Sequence, residues 1–155
     1  MADDLFELTP EQREIQAVCR EFAEREIRPI AHSVDEADTE TPWEIWYKAA
    51  ALGLTSFMLP ERLGGGGMTD VFTQALVQEE LCFGCAGIGN LITTNGFFAE
   101  PVLVLGTEAQ AERWVRPLCG GRPPLTALAS TEPGVGSDAA AITTTATRVD
   151  GGYVL

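Results

Sequence analysis

Two short stretches of this sequence hold residue types at spacings that could do chemistry. Gly134-Val135-Gly136-Ser137-Asp138-Ala139 fits the G-x-G-x-x-A spacing of a dinucleotide loop, which presents a pyrophosphate to a helix N-terminus. That chemistry needs a helix directly after the glycines and a strand-first βαβ unit. Here Ile142-Thr143-Thr144-Thr145-Ala146-Thr147-Arg148-Val149 follows, and its β-branched residues disfavour helix. The dinucleotide reading is therefore set aside. A turn remains, with Glu132 held out of helical space by Pro133 and with Gly134 and Gly136 free to take unusual dihedrals. Ser130, Thr131 and Ser137 flank it with hydroxyls and backbone N–H groups, a ledge suited to a phosphate or a planar, polar heterocycle.

The second stretch is Cys82-x-x-Cys85. A structural zinc site would need two further ligands, and the chain offers one histidine, His32, and two distant cysteines, Cys19 and Cys119. A redox motif belongs at a helix start after a strand, whereas Cys82 follows the helical run TQALVQEEL. Small apolar residues at the end of a buried helix is the better reading, and no metal is expected. His32 receives no role, and Trp43 and Trp46 are read as packing.

Composition limits the partners. With 10 Lys+Arg against 23 Asp+Glu the formal charge is -13. Such a field repels nucleic acid and anionic membranes, so neither is expected as a partner. ADDLFELTPEQRE after Met1 has no basic n-region and no apolar h-region, and a cytoplasmic protein with reduced thiols is expected. The most apolar stretch, residues 87–106, is interrupted by Asn90, Asn95, Glu100 and Pro101 and reads as a buried helix, not a membrane span.

The elements that must carry these residues are helical first. Thr9-Pro10-Glu11-Gln12 combines a cap, a first-turn proline and a capping-box Gln, and apolar residues recur at helical spacing from Ile15 to Phe22. Pro29 should end or kink that helix near Arg28, with resumption over Ile30, Ala31 and Val34. Thr41-Pro42-Trp43-Glu44 repeats the start signal, and Gly53 reads as the stop. Asp70 should cap a third helix to about Phe83, with Val71, Phe72, Ala75, Leu76 and Leu81 facing inward. A fourth helix is expected over about residues 88–105, and Thr107-Glu108-Ala109-Gln110 opens a short one that stops near Gly120-Gly121. LTALAST and AITTTATRV then read as strands, and Asp150-Gly151-Gly152 as a hairpin turn. The expected architecture is α+β. A helical domain over residues 1–122 precedes the opening strands of a truncated β-domain over residues 123–155, the remainder of which is missing.

Ser130-Thr131-Glu132-Pro133-Gly134-Val135-Gly136-Ser137-Asp138 resembles the [ST]-E-P-x-x-G-S-D signature of the acyl-CoA dehydrogenase family of flavoproteins. The LGL…PE…GG punctuation, EELCFGCAG and VLGTEAQAERWVRPLCGG fall in the same order, so the resemblance covers residues 8–155. It implies an N-terminal α-domain, a barrel-like middle β-domain and a C-terminal four-helix domain that is absent from this chain. It also implies FAD, an acyl-CoA substrate, electron-transfer flavoprotein as acceptor, and a homo-oligomer, dimer or tetramer. By position, the flavin-binding residues would be Leu128, Ala129, Ser130, Thr131, Glu132, Pro133, Gly134, Val135, Gly136 and Ser137. Thr131 would bond the pyrimidine edge, and Ser137 would also touch the CoA part. Leu128 stands where relatives often carry an aromatic residue. Thr93 and Phe97, on a helix that also carries Asn95, Gly96 and Phe98, would line the acyl pocket. The catalytic carboxylate is expected beyond Leu155, so no catalytic residue is assigned in this chain. The activity implied is α,β-dehydrogenation of an acyl-CoA thioester in fatty-acid catabolism, with the segment alone inactive. The alternatives are an acyl-CoA oxidase or another flavoprotein of this fold, a non-catalytic partner subunit, or an independent acidic helical module.

Overall fold

The computed structural model describes residues 7–37 and 41–155. Residues 1–6, part of the stretch read for an export signal, lie outside the described residues. Helix α1 (Pro10–Phe22) begins as its sequence requires: Gln12 N–H donates to the Thr9 hydroxyl at 3.2 Å, and the Thr9 N–H donates back to Gln12 Oε1 at 2.9 Å. It runs on through a π-helical turn, Ala23–Ile27, before Pro29 forces the break and α2 (Ala31–Ala37) resumes. The wider turn keeps both Ala23 and Ile27 fully buried.

Helix α3 (Trp43–Ala51) departs from expectation at its start. Pro42 is the cap residue and no side chain caps the helix; the Thr41 carbonyl accepts the Trp43 N–H at 2.8 Å instead. Its end matches the sequence reading. Gly53, at φ 76°, donates to Ala50 O while Leu54 donates to Ala49 O, the paired bonds of a Schellman motif.

Helix α4 (Val71–Gly84) is capped by Asp70, whose carboxylate accepts the Thr73 N–H at 2.8 Å and is thereby held below the usual carboxylate range. The inward face is only in part the one expected: Leu76 and Leu81 face the core, Val71, Phe72 and Ala75 do not. Thr73, Leu76, Val77, Glu80 and Leu81 are buried, whereas Phe72 and Ala75 are exposed and Val71 is 80% exposed. Packing against α1 and α5 selected this stripe over the more apolar first turn. Glu80, nearly fully buried on it, accepts from Gln16 Nε2 at 2.9 Å and pairs with Arg20, whose guanidinium lies 3.7 Å from the centre of the Phe83 ring. The buried charge is thus compensated.

The expected fourth helix is two, α5 (Ala86–Thr93) and α6 (Asn95–Leu105), broken at Thr94. Ala86–Leu105 is long and apolar enough, by length and composition alone, to cross a membrane. It is not the buried helix expected, because α6 covers one face only: Phe97 is 52% and Leu105 85% exposed. The buried face packs on α7 (Glu108–Trp114), which opens with the Thr107–Gln110 capping box and continues into a tight turn, Arg116–Cys119.

Two apolar clusters hold these helices. One gathers Phe22, Ile27, Ile45, Val77, Leu81 and Ile92 from α1, its π turn, α3, α4 and α5. The other gathers Leu59, Leu63, Ala99, Ala111, Val115 and Leu118, and Met58 packs against both. Among the described residues, Cys19, Cys82, Cys85 and Cys119 are free thiols and no cluster of metal ligands exists. Burial, then the nearby Glu80 charge, pushes the Cys19 thiol up to about 12, so it is inert packing.

Past residue 122 the expected strands are largely unformed. Residues 125–131 have no ladder, Ala139–Ala141 is a short 3-10 turn, and only β1 (Thr147–Val149) and β2 (Gly152–Val154) pair, antiparallel, through Asp150 and Gly151 at φ 82°. The β-rich composition is real, but a strand exists only with a neighbour to pair with.

Candidate functional site

Three features bear on the site, two of them at the α5–α6 break. The first is an apolar cleft of about 730 Å³ between α4 and α5–α6, floored by Phe57 and Met58. Thr93 and Phe97 line it together, whereas Phe98 turns to a separate surface groove beside Trp114. The buried Thr93 hydroxyl donates to Gln78 Oε1 at 2.6 Å, and Gln78 Nε2 donates to Cys82 Sγ at 3.1 Å. Both of these polar groups are satisfied and the lining around them is mostly apolar, with Glu100 as its one charged side chain. Gly96 makes room for the floor, because a Cβ there would stand 2.2 Å from Met58 Sδ.

The second feature is the run over residues 128–137. Glu132 and Val135 exchange two backbone hydrogen bonds, at 3.0 and 3.1 Å, and close a tight turn over Pro133 and Gly134. The Glu132 carboxylate reaches across to the N–H and hydroxyl groups of both Thr143 and Thr144, at 2.5 to 3.1 Å. The Thr144 hydroxyl, then the two backbone N–H groups and the Thr143 hydroxyl, pull this carboxyl down to about 2. Glu132 is thus spoken for as a brace of the turn. Leu128, Ala129, Ser130, Thr131, Pro133, Gly134, Gly136 and Ser137 are exposed or half-buried at the surface. Among the described residues, the N–H groups of Ser130, Thr131, Gly134, Gly136 and Ser137 have no backbone acceptor. A Cβ at Gly134 or Gly136 would meet nothing within 4 Å, so the approach is open.

The third is a tie that sequence reasoning missed. Asn95, fully buried at the helix break, donates from Nδ2 to Pro124 O at 3.2 Å. Its Oδ1 accepts the Thr126 N–H at 3.1 Å and the Thr126 hydroxyl at 2.8 Å. Trp46, read as packing, is fully buried and also donates to Pro123 O at 3.0 Å. An Asn inside an apolar run, which must find partners when buried, was the available signal. The cleft and the exposed run do not merge: Thr93 and Phe97 share the cleft, and Ser137 is not among its lining residues.

A helical domain with an apolar cleft, followed by a segment that carries a tight turn and a two-stranded antiparallel sheet, defines the class as α+β. The family described as "Acyl-CoA dehydrogenase, N-terminal domain" matches residues 9–122, and the chain belongs to the acyl-CoA dehydrogenase family. It is 38% identical over 146 residues to the short-chain specific acyl-CoA dehydrogenase, mitochondrial, of Bos taurus, covering 94% of this chain and 34% of that protein. It is 41% identical over 148 residues to the 3-(aryl)acrylate reductase of Clostridium sporogenes, covering 94% of this chain and 38% of that one. Butyryl-CoA dehydrogenase from Megasphaera elsdenii superimposes with a TM-score of 0.80 at 33% identity, over 96% of this chain and 39% of that chain. The chain thus spans a little over a third of the length of these relatives.

Proposed function

We propose that the whole protein is an FAD-dependent acyl-CoA dehydrogenase that removes hydrogens from Cα and Cβ of an acyl-CoA thioester. One observation carries this: an apolar cleft lined by Thr93 and Phe97 lies on the same helix break that ties down the segment leading to residues 128–137. FAD, when bound, supplies the hydride acceptor. The donor set suits it, since the exposed N–H groups of Thr131 and its neighbours match the acceptor edge of a flavin ring. In this reading Thr131 bonds the pyrimidine edge with its N–H and hydroxyl. Leu128, Ala129 and Ser130 bring the chain to the ring, and Ser137 meets the CoA part. Thr93 and Phe97 hold the acyl chain in a cleft whose volume lies within the roughly 300–1,000 Å³ common for ligand pockets. No residue of this chain is assigned as the base.

Division of the chain at residue 122, reoxidation by electron-transfer flavoprotein, a dimeric or tetrameric assembly and a cytoplasmic setting complete the proposal, and the four free thiols support the last. The identity to an arylacrylate reductase favours a second reading, the same site run in the reductive direction.

The test is the absorbance spectrum of the whole protein. Bound flavin that bleaches anaerobically on addition of butyryl-CoA is expected. Reoxidation of the chemically reduced flavin by an arylacrylate, with no bleaching by butyryl-CoA, would favour the second reading. A well-folded protein that holds no flavin and takes up none would refute both.

A further inference from the structure

A polar contact outside the cleft joins the fully buried Asn95 to residues 124–126. Pro123 and Pro124 have no N–H, so this part of the chain cannot be held by an ordinary ladder of donors and acceptors. What holds it is a side chain. Asn95 gives a donor to Pro124 O and an acceptor to Thr126 N–H, the two groups that flank Leu125. These are the groups a neighbouring strand residue would bond, so the Asn95 amide stands in for one residue of a β-partner. Trp46 pins the preceding carbonyl, Pro123 O, and fixes where the segment leaves the helices.

The place of this tie matters more than its strength. Asn95 is two residues from Thr93 and two from Phe97, both of which line the cleft. Thr126 is two residues before Leu128, where the exposed run begins, a span of about 7 Å in extended chain. One buried amide therefore belongs to both halves of the site.

We propose that Asn95 is a positioning residue, tying the start of the flavin-facing run to the helix break that lines the acyl cleft, and so setting the distance between the flavin and the acyl chain. This rests on the function proposed above. Its consequence is specific: loosening the tie lets the two halves drift without emptying either. The reacting atoms lose alignment while the apolar cleft still accepts the chain, so the loss falls on kcat and little on KM.

The experiment compares Asn95→Ala, Thr126→Val and Leu81→Ala in the whole protein, with butyryl-CoA as probe. Leu81 is buried on α4 and lines neither the cleft nor the run, so its truncation reports loss of stability alone. Asn95→Ala is expected to keep its flavin and to lower kcat by roughly ten- to a hundredfold, with KM changed by less than about threefold. Thr126→Val, which removes only the hydroxyl contact to Asn95 Oδ1, should shift kcat several-fold in the same direction. Leu81→Ala should lower Tm while kcat, measured well below Tm, stays at the parent value. If Asn95→Ala matches Leu81→Ala, with a lower Tm and an unchanged kcat, the proposal is overturned and the function stands. Should Asn95→Ala give no folded protein, Thr126→Val decides, and an unchanged kcat there overturns it equally. A parent protein without flavin removes the function and the positioning role together.

Discussion

Residues 7–37 and 41–122, set beside residues 123–155, show what a sequence needs in order to hold a shape. The first region closes its helix ends from within: Thr9, Asp70 and Thr107 cap helices with their side chains, and Gly53 ends one. It also buries its apolar residues against one another in two clusters joined at Met58. The second region is rich in apolar and β-branched residues, yet Leu128, Ile142, Val149, Tyr153, Val154 and Leu155 are all exposed. Helices satisfy their backbone within a single segment, whereas strands borrow from a neighbour. The second region is held at its start by the helical part, through Asn95 and Trp46 at residues 123–126, and beyond that only by contacts of its own, the Glu132 carboxylate at residues 143–144 and the β1–β2 pair.

This contrast predicts unequal responses to equal chemistry. Leu81→Ala, in the core beneath α4, should cost about 2–5 kcal/mol of unfolding free energy in a denaturant titration. Val154→Ala, which also truncates an apolar side chain, should stay within about 0.5 kcal/mol because it lies on an exposed strand. A Val154→Ala effect as large as that of Leu81→Ala would mean that the hairpin shares the helical core.

The smaller effect concerns pH. The Glu132 carboxyl is lowered from 4.5 to about 2 by the Thr144 and Thr143 groups it accepts. A depressed pKa means that the folded form favours the charged state. The brace is therefore fully present above about pH 4.5 and is lost as pH falls toward 2. The amide resonances of Thr143 and Thr144 should titrate together with a midpoint near 2. A midpoint at the ordinary glutamate value would show that the brace does not form in solution.

How far the sequence reveals this depends on how local each signal is. Capping boxes, the Gly53 stop and the Pro29 break act within one turn of chain, and each lies where its residues indicate. The inward face of α4 is not local: Val71 and Phe72 are the more apolar choice, but α1 and α5 pack against Leu76, Val77 and Leu81. Thr41 carries a start signal that Pro42 overrides as the cap. At the site, Thr93 and Phe97 are grouped by the family resemblance and not by any periodicity, and both line one cleft. The Asn95 tie spans about thirty residues of sequence and joins a helix break to a proline pair, so no periodicity announces it. LTALAST shows the converse, a strand composition that forms no ladder because, past the Asn95 contact at Thr126, no strand lies beside it.

Amide hydrogen exchange across the 155-residue chain tests the contrast most directly. Val77, Leu81 and Ile92 should exchange only through global opening, and Thr126 should mark the end of strong protection. Residues 127–155 should exchange rapidly, apart from partial protection at Glu132, Val135, Thr143, Thr144 and the β1–β2 pair. If β1 and β2 exchanged as slowly as Leu81, the two regions would form one cooperative unit, and the division between a self-sufficient helical part and a dependent β-segment would be wrong.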